Sequence, residues 1–309
     1  MSDRRRVNGP AGTTKPPVFV ISSQIAEAEK KRLRAHNELR KIFLQTGVVP
    51  SASGSAYLEL ESQPVKPALV SLSSTIKLSC SVQGPKPLPR TASFSPNLQL
   101  NASVKFAPFA TRNRQGYIRD STEKDLGLHL QNALKGVVIP DRWPKSSLDI
   151  AVTVLEGEDD QETGDRISGL GLFNMLAGCI NVAMAALADA RVDCLDLLAA
   201  GVGAIVSDAD EKSVRVLDPA AIEHTKVLSS CLVGYLPTRD EIVELWCIDS
   251  GSAQGKGESG FDEMVDSAVA AAHGAQTVLK EVLLESMMRN QVTTEKLTGQ
   301  TAKDVEMTG

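Results

Sequence analysis

The chain has 309 residues, 42% of them apolar and only 4% aromatic, with a net charge of −5. That length allows one large domain or two moderate ones built on an aliphatic core. The negative balance excludes a general attraction for polyanions, so any nucleic-acid contact has to come from a local basic patch.

The chain opens on a basic tail, residues 1–34, that carries Arg4, Arg5 and Arg6 among Gly, Pro and Thr. Its composition predicts disorder. No apolar run follows the charged start, so no signal peptide is expected. Residues 24–40 are charged and read as a short helix or an arm. Residues 56–61 and 67–83 alternate in part and are rich in Val, Ile, Leu and Ser. They predict two or three antiparallel strands ending at a Gly84-Pro85 turn. Residues 98–106 alternate cleanly and predict a half-buried strand. An irregular stretch, 107–120, holds Arg112, Arg114 and Arg119 around Tyr117. Residues 121–138 form an amphipathic pattern with Ser121 or Thr122 as cap and Glu123 and Asp125 in the first turn. A strand is expected at 147–155, and the acidic run 156–160 reads as an exposed, solvated insert.

The most distinctive stretch is 168–208. Its Gly-rich beginning, SGLGLF, predicts a break in regular structure. From Asn174 to Asp189 nearly every residue is apolar or small, Asn181 excepted. Apolar residues on all sides at helical spacing predict a helix buried on nearly every face, shorter than a membrane span requires. Residues 194–206 predict a buried strand, which makes this pair the centre of a layered packing. Beyond it come short strands at 214–217, 231–235 and 241–248, a flexible loop at 250–260 and a long amphipathic helix at 261–288. A polar tail from residue 291 is expected to be disordered.

Several patterns of possible chemistry reduce to ordinary structure. A Gly-rich turn ahead of a helix can cradle phosphate, but no Lys, Ser or Thr stands where a nucleotide loop would place one. The loop GSAQGKG has the wrong spacing for a phosphate loop, with three residues between Gly251 and Gly255 and Gly257 after Lys256. The five cysteines form no CxxC or Cys/His cluster and read as reduced thiols in an intracellular protein. The four histidines are scattered, so neither a metal nor any other cofactor is expected. No GxSxG elbow is present, although a dispersed Ser-His-Asp triad stays open. Arg112, Arg114 and Arg119 share one loop. They read either as planar forks for the phosphates of RNA or as ordinary surface charge.

Six pieces in order carry a family resemblance: GSAYLELES, IKLSCSVQGPKPLPR, LNASVKFAPFA, TEKDLGLHLQNAL, PKSSLDIAVTVLE and NVAMAALADARVDCLDLLAAGVGAIV. On these the chain resembles the RNase PH family over roughly residues 38–290. The resemblance implies an α+β, RNase PH-like fold of two similar β-sheet and helix units around the central buried helix. The units would be 35–206 and 207–290, with tails 1–34 and 291–309. Active members trim RNA from its 3′ end with phosphate as the attacking group. They hold that phosphate with an Arg in a turn before the central helix, and a divalent metal with two Asp six residues apart ahead of a late strand. Aligned here, the Arg position falls on Leu176 and the Asp positions on His224 and Ser230.

A Leu cannot supply the bidentate bond to phosphate, and His with Ser lacks the hard anionic oxygens Mg²⁺ demands. The resemblance therefore implies a non-catalytic ring subunit of the eukaryotic RNA exosome, supporting 3′-to-5′ processing and degradation of rRNA, mRNA and other RNA. Its implied partners are other RNase PH-like subunits, paired as heterodimers in a six-member ring, RNA-binding cap subunits and single-stranded RNA, with no membrane. Nucleus, nucleolus and cytoplasm follow as its locations. Two other readings stand beside it: an active phosphorolytic exoribonuclease, and a small-molecule kinase of a related fold resting on the Gly-rich turn alone.

Overall fold

The computed structural model describes residues 32, 34–61, 75–89, 91, 93–111, 114, 116, 118–158, 169–207, 213–220, 223–224, 227–249 and 258–307. Strands β1 (Ile42–Thr46), β2 (Gly54–Leu60), β3 (Ile76–Pro87), β4 (Gln99–Phe106) and β5 (Ser146–Glu156) form a sheet in the order β1-β2-β3-β5-β4. Only the β4–β5 pair is parallel, and helix α1 (Ser121–Lys135) makes the crossover between them. Helix α2 (Gly169–Asp189) then leads to a second sheet. That sheet comprises β6 (Ala199–Ser207), β7 (Ser213–Leu217), β8 (Val227–Leu236) and β9 (Glu241–Asp249), all antiparallel, in the order β7-β6-β8-β9. Helix α3 (Glu258–Met307) closes the chain.

The alternation seen in sequence sets the inner faces. Along β2, Ala56, Leu58 and Leu60 are buried while Tyr57 and Glu59 are half-buried. Helix α2 lies between the sheets, touching β2 and β3 on one side and β6 and β8 on the other, and α3 covers the outer face of β6. Of α2's 21 residues, 17 are buried, so this helix has no solvent face to offer. By length and composition α2 is long and apolar enough to cross a membrane, contrary to the sequence expectation, yet 94% of its apolar window is buried within the fold. Of its two buried amides, Asn174 and Asn181, the second behaves like a strand residue. It donates to the Ala200 carbonyl at 3.0 Å and accepts from the Ala200 N–H at 2.8 Å. The apolar side chains around it thus enclose a satisfied polar pair.

The structure corrects several sequence expectations. The Gly-rich start at Gly169 is helix, because apolar cover on all sides outweighs the weak propensity of two glycines. Helix α1 is capped by Asp120 in a capping box with Glu123, and it ends at Lys135, before Val138. Strand β3 continues past Gly84-Pro85 by way of a register shift. Strand β1 was not expected from sequence, being only five residues with Phe43 exposed. Strand β6 begins at Ala199, and it pairs within the second sheet, so the sheets divide the chain at α2, before residue 206. Helix α3 runs to Met307 through the expected tail, a stretch with no proline and one glycine. Residues 32 and 34, expected within a loose tail, are anchored as described below. The GSAQGKG loop, Tyr117 and residues 1–31 lie outside the described residues.

Close backbone approach fixes α3 on β6. A Cβ at Gly201 would fall against the Ala272 nitrogen and within 2.5 Å of the Ala268 carbonyl oxygen. Replacing Gly201 by Ala should therefore force strand and helix apart and cost about 1–3 kcal/mol. The denaturant midpoint of the folded protein measures it, and an unchanged midpoint would contradict this packing.

Candidate functional site

The chemistry-bearing residues gather at the N-terminal half of α2. Here the end of β5, the segment after β7 and residues 32–40 converge. Arg40, its side chain 1% exposed, forks onto Asp218 with Nη2–Oδ1 2.6 Å and Nε–Oδ2 3.0 Å, and reaches Glu158 at 3.5 Å. The Arg40 backbone N–H also donates to Asp218 Oδ2 at 2.9 Å. Asn174 Nδ2 donates to Glu158 Oε2 at 2.7 Å and to the Pro219 carbonyl at 2.8 Å. Arg34 Nη2 spans both oxygens of Glu223, at 2.8 and 2.9 Å, and Arg32 Nη1 adds a third contact at 3.2 Å. Three guanidinium groups meet three carboxylates, so the cluster is neutral as a set. The planar Arg fork suits such buried pairing.

The electrostatics follow from that packing. Burial would push the Asp218 carboxyl up, but the Arg40 charge and hydrogen bonds outweigh it and hold the carboxyl below its usual range. Burial works equally against the Arg40 cation, and Asp218 with Glu158 overcome it, keeping Arg40 charged. Arg32 is lowered, chiefly by burial and then by the charge of Arg34 beside it. The acidic run after β5, expected to be solvated, instead places Glu158 fully buried in this cluster, and Glu156 pairs with Lys77 at 2.8 Å. Nothing in the run's composition separates Glu158 from its neighbours.

The sequence-predicted positions divide into two groups. Leu176 is fully buried on α2, two residues from Asn174. His224 follows Glu223, and its Nε2 is buried without a hydrogen-bond partner. Ser230, also buried, pairs across β8–β9 with Ile248, whose side chain lies against Gly169 at the start of α2. The three positions thus surround the same end of α2, and none offers a carboxylate. Among the described residues no group of three His, Cys, Asp or Glu is arranged to hold a metal ion.

Arg114 and Arg119 form the second group. Both are exposed, and neither is tied to another described residue by an ion pair or hydrogen bond. Arg112 lies outside the described residues. Their loop starts beside the cluster, since the Gly157 N–H donates to the Ala110 carbonyl at 2.8 Å. The buried Glu123 carboxylate closes the loop at its base, accepting from the Phe106 N–H at 2.7 Å and the Asp120 N–H at 3.2 Å. Sequence reasoning singled out the arginines of this loop. It missed Arg32, Arg34 and Arg40, whose only signal was three Arg within nine residues ahead of a strand.

Comparison with known proteins gives a consistent result. Residues 38–193 match the RNase PH model, 3′ exoribonuclease family, domain 1. The exosome complex component MTR3 of Chaetomium thermophilum is 48% identical over 292 residues, covering 93% of this chain and all of that one. The Schizosaccharomyces pombe mtr3 is 29% identical over 80% of this chain and 84% of its own length, and human MTR3 is 27% identical over 93% and 95%. Among solved structures, rice Rrp46 superposes with a TM-score of 0.58 at 18% identity, covering 81% of this chain and 98% of that one. An Archaeoglobus fulgidus exosome with RNA bound to the active site superposes at 0.57 and 16%, covering 82% and 94%. At such identities these two structures speak for the fold alone.

The buried imidazole makes the cluster pH-sensitive. Burial and the neighbouring Arg32, His36 and Arg34, opposed by Glu223, lower His224 from 6.5 to about 4. Below pH 6.5 the unfolded chain takes up this proton and the folded chain does not until about pH 4. The contribution is therefore complete above pH 6.5 and lost as the pH falls towards 4. Urea midpoints across that range should fall less steeply for His224→Gln than for the parent chain. Parallel curves would show that His224 titrates alike in both states.

Proposed function

Given that this chain belongs to the RNase PH family, we propose that it is a non-catalytic ring subunit of an RNA exosome that holds the ring together and contacts RNA. The observation that carries this reading is the 48% identity along the whole length of a relative named as an exosome complex component. The site supports it. At the end of α2 the aligned phosphate position is a buried Leu, and the nearby arginines are already paired with Asp218, Glu158 and Glu223. A phosphate arriving there would have to displace internal carboxylates that hold these cations in short, buried contacts, at a cost of several kcal/mol. His224 and Ser230 provide no pair of anionic oxygens for Mg²⁺.

In this reading the partners are other RNase PH-like subunits, forming heterodimers within a six-member ring, with RNA-binding cap subunits above and single-stranded RNA passing through. Nucleus and cytoplasm are its compartments, with the nucleolus as the place of rRNA processing. The two sheet-bearing units would act as one wall segment of the ring. The purified chain, given RNA, phosphate and Mg²⁺, should release no nucleoside diphosphate. Phosphorolysis abolished by a single substitution in this chain would overturn the assignment and favour an active exoribonuclease.

RNA contact falls to the arginines of the loop before α1. Arg114 and Arg119 stand on a loop whose base is fixed, and Arg112 belongs to the same stretch of sequence. A protein of net charge −5 needs such a local cluster to attract phosphate. Changing Arg114 and Arg119 together to Glu should weaken RNA binding by the assembled ring irrespective of sequence. It should also flatten the slope of log K against log salt by about 0.7 for every phosphate no longer neutralised. Filter binding across a salt series, beside gel filtration of the same samples, reads both. An intact ring with an unchanged slope would remove these residues from the RNA path.

A further inference from the structure

Two cysteines face each other across the second sheet, and nothing in the ring function uses them. Cys231 on β8 and Cys247 on β9 are direct register partners. Opposite residues of an antiparallel pair have Cα atoms about 4.5–5.5 Å apart, within the span a disulfide requires. Their sulfurs lie 2.7 Å apart, closer than two unbonded sulfurs ordinarily approach, so bond formation at about 2.05 Å asks for a movement of under about 1 Å. We propose that Cys231 and Cys247 are a reversible oxidation site, closing to a cross-strand disulfide when the protein meets a peroxide.

Three further observations support the pair. Cys247 sits on the outermost strand of the sheet and is half-buried, so a small oxidant can reach it, while Cys231 behind it is fully buried. The hydrogen bond with Cys231 lowers the Cys247 thiol, against the opposing effect of burial, whereas Cys231 itself is raised. Exposure divides the attacking and resolving roles: the half-buried Cys247 meets the oxidant, and the buried Cys231 behind it resolves. The remaining cysteines are disposed differently. Burial pushes the Cys179 thiol up to about 12 and Cys80 higher still, and burial with Asp193 pushes Cys194 up to about 11.

The chemistry balances. The Cys247 thiolate attacks one peroxide oxygen, the O–O bond breaks, and the departing hydroxide takes up a proton to leave as water. Cys247 becomes a sulfenic acid. The Cys231 sulfur then attacks Cys247 Sγ, the S–O bond breaks, and hydroxide leaves with the Cys231 proton as a second water. Two thiols and one peroxide give one disulfide and two waters, with two electrons passing from sulfur to oxygen. A dithiol reductant reverses the change by exchange. In a reducing compartment such a disulfide is transient, as befits a sensor more than a staple.

Intact-mass and peptide mass spectrometry of the full chain, treated with hydrogen peroxide and then dithiothreitol, tests this. The parent protein should lose two hydrogen atoms through a link mapped to Cys231 and Cys247, and regain them on reduction. Cys247 should also alkylate with iodoacetamide about tenfold faster than Cys194. Cys231→Ser should instead accumulate a sulfenic acid at Cys247, trapped by dimedone, and Cys231→Ala serves if the Ser variant does not fold. Oxidation that leaves this pair as free thiols, or that carries Cys247 directly to higher oxides in the parent chain, would overturn the proposal.

Discussion

A helix with no polar face has to be covered on every side, and this requirement organises the molecule. Helix α2 buries Phe173, Met175, Leu176, Ile180 and Val182 completely. Each such large side chain is worth about 1.5–3 kcal/mol when removed from water. One sheet can cover only one side of it. The chain therefore builds a sheet before α2 and another after it, and brings both to bear on the same helix. Small residues set the distances: a Cβ at Gly178 would meet Leu78, and one at Gly54 would meet Ala190 and the Ala186 carbonyl. The end of α2 is tied to the first sheet as well, since the Ser55 N–H donates to Asp189 at 2.9 Å.

The same arrangement leaves one place where polar groups have to be buried. Where β5 ends and β7 turns back over the first turns of α2, carboxylates from both segments are trapped beneath residues 32–40. Uncompensated, each would be costly to keep charged. Arg32, Arg34 and Arg40 neutralise them as a set, so these residues are held against the segments that follow β5 and β7. The cost of burial is offset by close geometry, and the cations so engaged are unavailable to any ligand.

Two sets of arginines contrast in this protein. Arg32, Arg34 and Arg40 are internal, each fixed by a carboxylate. Arg114 and Arg119 are external, on a loop pinned at its base by Glu123. Net charge and composition treat the two groups alike. The first set is engaged by internal carboxylates, whereas Arg114 and Arg119 carry their charge at the surface.

The sequence by itself determined the elements whose patterns are local. The largely apolar α2, the alternating β2 and β4, the amphipathic α1 and the beginning of α3 were legible because each buries a face repeated at its own period, and six ordered pieces pointed to the family. The loop bearing Arg114 and Arg119 was legible because its residues show neither a helical nor a strand period and concentrate charge. Tertiary structure alone decided the pairings. Strand β1 is too short to show a period, and β6 pairs with β7 and β8 while its glycines admit α3. The partners of Arg40, Glu158 and Asp218, are separated from it by more than a hundred residues, as are His129 and Glu244, whose side chains meet at 2.6 Å between α1 and β9. Contacts of that kind depend on how two sheets close over one helix, and a one-dimensional pattern carries no record of that closure.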